Sequence, residues 1–150
     1  MKKGLYENMN CEFDNKITYT DYRNLRAAVG WRAVSERQFE AGLKNTHYIL
    51  VIKVDNKAVG LIKALGDMGY YWLMVDVIVH PDYQGQGLGR ELVGKFLQFV
   101  DYSTMSGENI HIALLSAKGK ESFYEKFGFK TRPYGDDLIG AGMSLFYTKE

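Results

Sequence analysis

The most regular pattern in the chain is an apolar run whose period changes near residue 80. Residues 70–79 are rich in aromatic and β-branched side chains, which is typical of a buried strand. Beyond Pro81 the apolar positions recur at helical spacing, and they are Leu88, Leu92, Val93, Phe96, Leu97 and Val100. Three glycines, Gly85, Gly87 and Gly89, lie between the two patterns. The chain therefore predicts a strand, a glycine turn and a helix in direct succession.

Two shorter helices are predicted near the start of the chain. Thr20 and Asp21 are suitable N-caps for the first helix, and Gly30 is placed to end it. The apolar positions of this helix that share one face are Tyr22, Leu25 and Val29. Ser35 and Gln38 have the spacing of a capping box, which predicts that a second, short helix begins there.

Strand composition and turn residues predict a largely antiparallel sheet. The expected strands are residues 16–19, 48–54, 58–65, 70–80, 110–115, 129–132 and 143–148. The helix after the glycines would connect strand 70–80 to strand 110–115 in a parallel, right-handed crossover. A last helix over residues 118–127 would be capped by Ser116 and ended by Gly128. The predicted fold class is α/β (α+β), with a mixed, mostly antiparallel central sheet of six to seven strands flanked by about four helices.

Composition narrows the partners that this fold could have. The length suits one domain spanning residues 1–150, and 19 basic against 18 acidic side chains leave no overall field to attract nucleic acid or an anionic membrane. The lone cysteine, Cys11, cannot form an internal disulfide, and no apolar stretch approaches the length of a membrane span. The three histidines stand apart from other metal ligands. We expect a cytoplasmic protein without a metal, nucleic-acid or membrane partner, and a homodimer is compatible with the sequence.

The glycine turn is a candidate anion site. The first N–H groups of a helix lack partners within it, and the positive end of the helix dipole lies at the same place. Glycines carry no β-carbon, so a phosphate can approach the main chain closely. A nucleotide P-loop is excluded because Gly89 is followed by Arg90 and Glu91. A dinucleotide fold is excluded because the third glycine of its motif would fall on Arg90 or Leu92.

The pattern Gln84-x-x-Gly87-x-Gly89 resembles the acetyl-CoA pyrophosphate loop of the GCN5-related N-acetyltransferases, the GNAT family. Residues 122–129, SFYEKFGF, are similar to a second signature of that family. The resemblance implies a sheet with a splayed strand pair that forms an acetyl-CoA cleft. It also implies transfer of acetyl from acetyl-CoA to a primary amine of a small molecule or peptide, directly in a ternary complex. A non-catalytic acyl-CoA-binding or regulatory module on the same fold is the alternative.

The resemblance also implies which residues contact the cofactor. The residues whose main chain would bind the pyrophosphate are Gln84, Gly85, Gln86, Gly87, Leu88 and Gly89. The pantetheine arm would lie along Val77, Ile78 and Val79 like an additional strand. Arg90 either approaches a CoA phosphate or is a solvated cation at the helix start. The family often has a cofactor-contacting asparagine seven residues before its catalytic tyrosine, where this chain has Ala117.

Two residues are candidates for proton transfer. Tyr124 matches the family's general acid, which protonates the departing CoA thiolate, and its position beside Phe123 and Phe127 predicts a half-buried ring at the edge of the cleft. Asp76 is the only carboxylate in an apolar strand, where desolvation would make it more basic, so it is a candidate base for the acceptor ammonium. A structural role for Asp76 and a water relay are the alternatives, since a β-bulge would change the face on which it lies.

The acceptor site is less defined by the sequence. Trp31, Tyr71 and Asp136 are candidate substrate contacts, because the chain has more aromatic residues than a small core requires and acidic residues near its end. Aromatic and acidic side chains would suit an aromatic or cationic amine. Core packing is the alternative explanation for most of the aromatic residues.

Overall fold

The structure, a computed structural model, describes residues 9–132, 142–148 and 150. The strands are β1 (Cys11–Asp14), β2 (Tyr48–Val54), β3 (Lys57–Gly66), β4 (Tyr71–Val79), β5 (Asn109–Leu115), β6 (Lys130–Thr131) and β7 (Gly142–Thr148). They form one mixed sheet in the order β1-β2-β3-β4-β5-β7-β6. The helices are α1 (Tyr19–Ala28), α2 (Glu36–Lys44), α3 (Leu88–Ser103) and α4 (Glu121–Glu125). The predicted fold class is confirmed.

The chain divides into two compact units. The first combines Met1–Lys63 with Asp76–Phe99, and the second combines Ala64–Val75 with Val100–Glu150. A buried core in the first unit comprises Ile17, Tyr22, Leu25, Phe39, Val51, Leu61 and Ile78. The single domain expected from the length stays a prediction. Over the residues that the structure describes, no helix is both long and apolar enough to cross a membrane.

The start of the first unit differs from the prediction. The expected strand at 16–19 is wrong, because β1 ends at Asp14, whose carboxylate accepts hydrogen bonds from the backbone N–H groups of Asn15 and Lys16 at 2.7 and 3.1 Å. Thr18, rather than Thr20 or Asp21, then caps α1 by accepting from the Asp21 N–H at 3.1 Å. Side-chain hydrogen bonds to nearby N–H groups therefore end the strand and begin the helix earlier than hydrophobic spacing indicated.

The later boundaries of the helical segment are as predicted. Gly30 follows α1 with a φ of +73°, the left-handed conformation that glycine adopts without strain. The capping box of α2 is confirmed, since Ser35 accepts from the Gln38 N–H and the Gln38 side chain accepts from the Ser35 N–H. Phe39 on α2 packs its ring against Tyr22 of α1 with centroids 5.1 Å apart. These contacts place both helices on the core of the first unit.

Tight turns join the three central strands, as the sequence predicts. Asp55 and Asn56 between β2 and β3 both have positive φ, +48° and +61°, as a two-residue hairpin requires. The turn after β3 is held by Asp67, whose Oδ1 accepts from the N–H groups of Gly69 and Tyr71 at 2.8 and 3.0 Å. The antiparallel meander therefore leads directly into β4.

The second unit contains the parallel pairing that the crossover predicts. β4 pairs with β5 from Tyr71 opposite His111 to Met74 opposite Leu114. β4 itself continues to Val79, five residues past this pairing. β5 pairs along its whole length with β7, antiparallel.

The last helix is shorter than predicted. It occupies only Glu121–Glu125 instead of residues 118–127, because Gly119 has a φ of +78° and interrupts the helical path. Ser116 does not cap it, since its hydroxyl donates to the Ala117 carbonyl at 2.8 Å. Gly128 does lie just beyond the helix with a φ of +90°, as predicted.

Candidate functional site

The glycine loop, residues 84–89, is a continuation of β4 bent back by a short 3₁₀ turn at Pro81–Tyr83. The Gln84 side chain donates to the Val79 carbonyl at 2.9 Å, which ties the loop to the end of the strand. Gly85 and Gly87 have φ values of +74° and +95°, so the loop passes twice through a conformation that disfavours side chains. The Glu91 N–H donates to the Gly87 carbonyl at 3.1 Å, which closes the first turn of α3.

This geometry leaves main-chain donors at the start of α3. In an α-helix, the N–H groups of its first residues, here Gly87 to Arg90, have no partner four residues earlier. The Leu88 side chain is fully buried and fixes the first turn, whereas Arg90 is exposed. A β-carbon built on Gly85 would meet no atom within 4 Å, so the loop surface is open there. The residues present therefore fit a phosphate group held by main-chain N–H groups.

His80 and Gln86 support the loop from within. The Nδ1 atom of His80 accepts from the Asp82 N–H at 3.3 Å, and Gln86 donates to the Asp82 carbonyl at 3.4 Å. This contact gives His80 a structural role in the turn before the loop. Among the residues that the structure describes, no three His, Cys, Asp or Glu side chains are placed to hold a metal ion.

The side chains of β4 alternate without interruption. Asp76 and Ile78 are buried on one face, and Val77 and Val79 are half-buried on the other. No bulge shifts this alternation, so Asp76 lies on the same face as Ile78, which belongs to the core of the first unit. The face of Asp76, which the sequence left open, is thereby settled.

Asp76 lies in a buried ionic group, the Asp76 cluster, formed with Tyr22, Arg26 and Lys63. The Tyr22 hydroxyl donates to Oδ2 at 2.7 Å, Lys63 Nζ lies 3.3 Å from the same oxygen, and Arg26 Nη1 lies 3.2 Å from Oδ1. The side chains of Asp76, Arg26 and Lys63 are only 8%, 15% and 9% exposed. Burial, followed by the adjacent Asp76 carboxylate, raises the pKa of Tyr22 to about 12.

This cluster corrects the expected surroundings of Asp76. The strand is apolar in sequence, but the carboxylate itself faces two cations and a phenol, and both oxygens are engaged. Tyr22, Arg26 and Lys63 were not predicted as site residues. A weak signal existed, since Tyr22 and Arg26 are four apart on α1 and Lys63 interrupts an apolar strand. The catalytic role of Asp76 stays a prediction, and its contacts favour the structural alternative.

Trp31, a predicted substrate contact, is half-buried beside the same cluster. The guanidinium carbon of Arg26 lies 5.4 Å from the centre of the Trp31 ring and 5.6 Å from that of Tyr22. Arg26 Nε also donates to the Arg32 carbonyl at 3.0 Å. The segment after α1 is therefore anchored to the cluster through one side chain.

Tyr124, in the second unit, is more buried than predicted. It is 8% exposed, and its ring packs against Phe123 and Phe129 with centroids 4.9 and 6.1 Å apart. Phe123 and Phe127 form a ring pair with centroids 5.5 Å apart, but both are only half-buried, so the half-buried position predicted for Tyr124 beside them was wrong. The short helix rotates Tyr124 inward instead. Burial raises the pKa of Tyr124 to about 12.

The remaining predicted acceptor contacts are Tyr71 and Asp136. Tyr71 is exposed and lines a shallow, open hollow of about 430 Å³ with Trp72, Leu73 and His111. Its ring packs edge-on against Tyr70 at 4.6 Å. Asp136 lies outside the described residues.

A mixed sheet with a glycine loop between β4 and α3 is the arrangement that the resemblance to acetyltransferases implies, and comparison with known proteins agrees. Residues 45–131 match the profile of the acetyltransferase (GNAT) domain. The chain is 32% identical over 126 residues to ycf52 of Pyropia yezoensis, an uncharacterised N-acetyltransferase, across 81% of this chain and 70% of that protein. This chain belongs to the GNAT family.

Solved structures show the same fold at low identity. The ribosomal-protein-S18-alanine N-acetyltransferase of Escherichia coli matches with a TM-score of 0.73 at 15% identity, over 93% of this chain and 96% of that one. Naa50 of Arabidopsis thaliana, in complex with the bisubstrate analogue CoA-Ac-MVNAL, matches with a TM-score of 0.72 at 16% identity, over 91% and 99%. At these identities the likeness concerns the fold alone.

Proposed function

We propose that this protein transfers acetyl from acetyl-CoA to a primary amine of a small molecule or peptide, directly in a ternary complex. The observation that carries the proposal is the glycine loop. Two left-handed glycines lead from the strand into α3, and the first N–H groups of the helix are available there as main-chain donors. The pyrophosphate would bind the amides of residues 84–89, and Arg90, being exposed, is free to approach a CoA phosphate.

The pantetheine arm would lie along Val77, Ile78 and Val79. The Ile78 side chain is in the core and the two valines are half-buried, so the main chain is the part of this segment suited to hold the arm. An arm that starts at the loop and follows the strand backwards runs towards Asp76. Three strand residues span about 10 Å. The thioester would therefore lie at the Asp76 end of the segment.

Transfer requires that the acceptor lose a proton before it attacks the thioester carbonyl. An alkylammonium with a pKa of about 10.4 costs about 4.6 kcal/mol to deprotonate at pH 7. Because both oxygens of Asp76 are engaged, a water relay is the better supported route for this proton. The amine nitrogen then bonds to the acetyl carbon and loses its second proton to the same water relay, and the C–S bond breaks.

Tyr124 would donate its hydroxyl proton to the departing CoA sulfur and regain one from solvent. A general acid must be protonated at the working pH, and the raised pKa of Tyr124, about 12, meets that requirement. This role of Tyr124 stays an inference from the family pattern.

The class of acceptor and the compartment are part of the same proposal. Neighbouring structures include an enzyme named for a protein alanine and one bound to a peptide-containing analogue, which supports the inclusion of peptides among the acceptors. A single cysteine is consistent with a reducing, cytoplasmic setting.

The test is CoA release, with product mass, for a panel of small amines and short peptides, comparing the parent with Tyr124→Phe. We expect kcat to fall by roughly 10²- to 10⁴-fold with little change in acetyl-CoA affinity, because only the hydroxyl is lost. Tyr102→Phe, which removes a hydroxyl from an exposed tyrosine, is the matched control and should match the parent. If the parent binds acetyl-CoA but acetylates nothing, the protein is a binding module; if Tyr124→Phe stays within about threefold of the parent, another group is the acid.

A further inference from the structure

We propose that Arg26 is a positioning residue that sets acceptor specificity, because it orients Trp31 and keeps the Asp76 carboxylate occupied. The protein would then select a neutral amine on an apolar body and disfavour acceptors with a second ammonium group. This inference rests on the proposed function and names the acceptor class for it.

Arg26 connects three parts of the first unit at once. Its Nη1 atom lies 3.2 Å from Asp76 on β4 and 3.4 Å from the Tyr22 hydroxyl on α1, and its Nε donates to the Arg32 carbonyl beyond α1. The rings of Tyr22 and Trp31 both lie within 6 Å of its guanidinium carbon. A planar guanidinium can satisfy such a set of in-plane hydrogen bonds and ring contacts together, whereas an ammonium group cannot.

The segment after α1 is also held by its backbone, where the Trp31 N–H donates to the Arg26 carbonyl at 2.9 Å. Tyr19 holds it by donating from its hydroxyl to the Val34 carbonyl at 2.9 Å. Trp31 has its ring contact with Arg26, and it packs as a half-buried residue against the core. The orientation of the indole should therefore change when the guanidinium is removed, while the ends of the segment remain attached.

The Asp76 cluster also carries a surplus positive charge. The charged groups that face Asp76 among the described residues are Arg26 from α1 and Lys63 from β3, two cations against one carboxylate. The remaining polar neighbour, Tyr22, is an uncharged phenol at neutral pH, and burial raises its pKa further, to about 12. Charges this poorly hydrated are weakly screened, so the cluster presents a net positive field.

This field matters because Asp76 lies where the proposed thioester ends. An ammonium near the cluster is repelled, which favours the neutral amine needed for attack and penalises a second ammonium on the same acceptor. Asp76 cannot compensate as a free anion, since Arg26, Lys63 and Tyr22 already occupy its oxygens. The half-buried indole of Trp31 remains as the surface for an apolar acceptor body.

The first experiment is steady-state kinetics of Arg26→Gln with the best acceptor from the amine panel. We expect the acceptor KM to rise about tenfold and the acetyl-CoA KM to change by less than about twofold. Arg23→Gln is the matched control, since Arg23 is on the same helix, lies over the Tyr19 ring at 5.8 Å and is exposed. Arg26→Lys keeps the charge but not the planar group, so it should recover stability without recovering the acceptor KM.

The second experiment compares n-butylamine with 1,4-diaminobutane in the parent and in Lys63→Met. The parent should prefer the monoamine in kcat/KM by about tenfold, as repulsion of one extra charge at short range predicts. Lys63→Met removes the surplus charge without touching Trp31, and it should narrow the preference to about twofold. If Arg26→Gln does not fold, Lys63→Met and Trp31→Leu still test the two halves of the inference.

The outcomes separate the inference from the function on which it rests. A parent that acetylates no amine overturns the proposed function. A parent that acetylates amines but shows equal acceptor KM in Arg26→Gln, or equal kcat/KM for both butyl amines, overturns the inference alone. Equal rises in both KM values would also overturn the inference, because they would show that Arg26 does not act on the acceptor alone.

Discussion

The glycine loop and the Asp76 cluster are eight residues apart on one segment of chain, yet they are built in opposite ways. The loop is held by its own backbone and by the side chains of His80, Gln84 and Gln86, which bond only to backbone groups of Val79 and Asp82. The cluster is held by side chains from α1, β3 and β4, and its Tyr22 and Asp76 are 54 residues apart in sequence. The loop is therefore built from contacts that are local in sequence, whereas the cluster exists only in the folded protein. Mutations should consequently affect ligand binding at the first and stability at the second.

The substitution that should separate the two regions most clearly, with the largest expected effect, is Gly87→Val. Gly87 has a φ of +95°, and a branched β-carbon there would both strain the turn and block the main-chain donors. We expect acetyl-CoA affinity, measured by calorimetry, to fall by at least about a thousandfold, or about 4 kcal/mol, with circular dichroism unchanged. Gly94→Ala is the control, since its β-carbon would meet nothing within 4 Å inside α3. Normal affinity in a folded Gly87→Val protein would remove the loop as the cofactor site.

The reverse pattern is expected for Asp76→Asn. An amide leaves Arg26 and Lys63 buried without their counter-ion, and removal of one partner of a buried charge pair costs about 3 kcal/mol or more. The free energy of unfolding in urea should fall by that amount, while the acetyl-CoA Kd stays within about threefold of the parent. Asp14→Asn, at the more exposed pair with Lys53, should lower the free energy of unfolding much less. Equal losses in the two variants would contradict the buried role of Asp76.

A smaller effect is expected for Tyr22→Phe, with a specific pH dependence. Loss of the 2.7 Å hydrogen bond to Asp76 should cost about 1.5 to 3 kcal/mol at pH 7, because the acceptor is charged and buried. The folded pKa of Tyr22, about 12, lies above the usual value of about 10, so its protonated form is favoured by folding.

This contribution is complete below about pH 10 and is lost as the pH rises towards 12. Urea unfolding at several pH values should therefore show a shallower alkaline loss of stability in Tyr22→Phe than in the parent. A parallel loss in both proteins would assign the alkaline transition to other groups, such as Tyr48 and Tyr124, whose pKa values burial also raises to about 12.

The same contrast explains what the sequence could predict. The strand, the glycine loop and the start of α3 follow from local period and turn chemistry, and all three were located correctly. The Asp76 cluster was missed because Tyr22, Arg26 and Lys63 meet only through tertiary packing, and each alone looks like an ordinary surface or core residue. Asp76 was assigned apolar surroundings because its neighbours in sequence are apolar, although its neighbours in space are not.

The remaining errors concern element ends. The predicted bounds of β1, α1 and α4 differ from the observed ones. Side-chain hydrogen bonds decide the first two and a left-handed Gly119 decides the third, and hydrophobic spacing detects neither. The inward orientation of Tyr124 was also missed, because a helix of one and a half turns need not bury the face predicted for a longer helix.

The position of β7 has a consequence for the order in which the chain can fold. β7 is the last strand in sequence, yet it lies between β5 and β6 in the sheet. During synthesis, β6 has no strand to pair with and one edge of β5 stays open until residue 148 has left the ribosome. An open edge of this kind is a template for pairing with other chains. The second unit is thus most exposed to aggregation in the interval before residues 142–148 emerge, and truncation before β7 would make that exposure permanent.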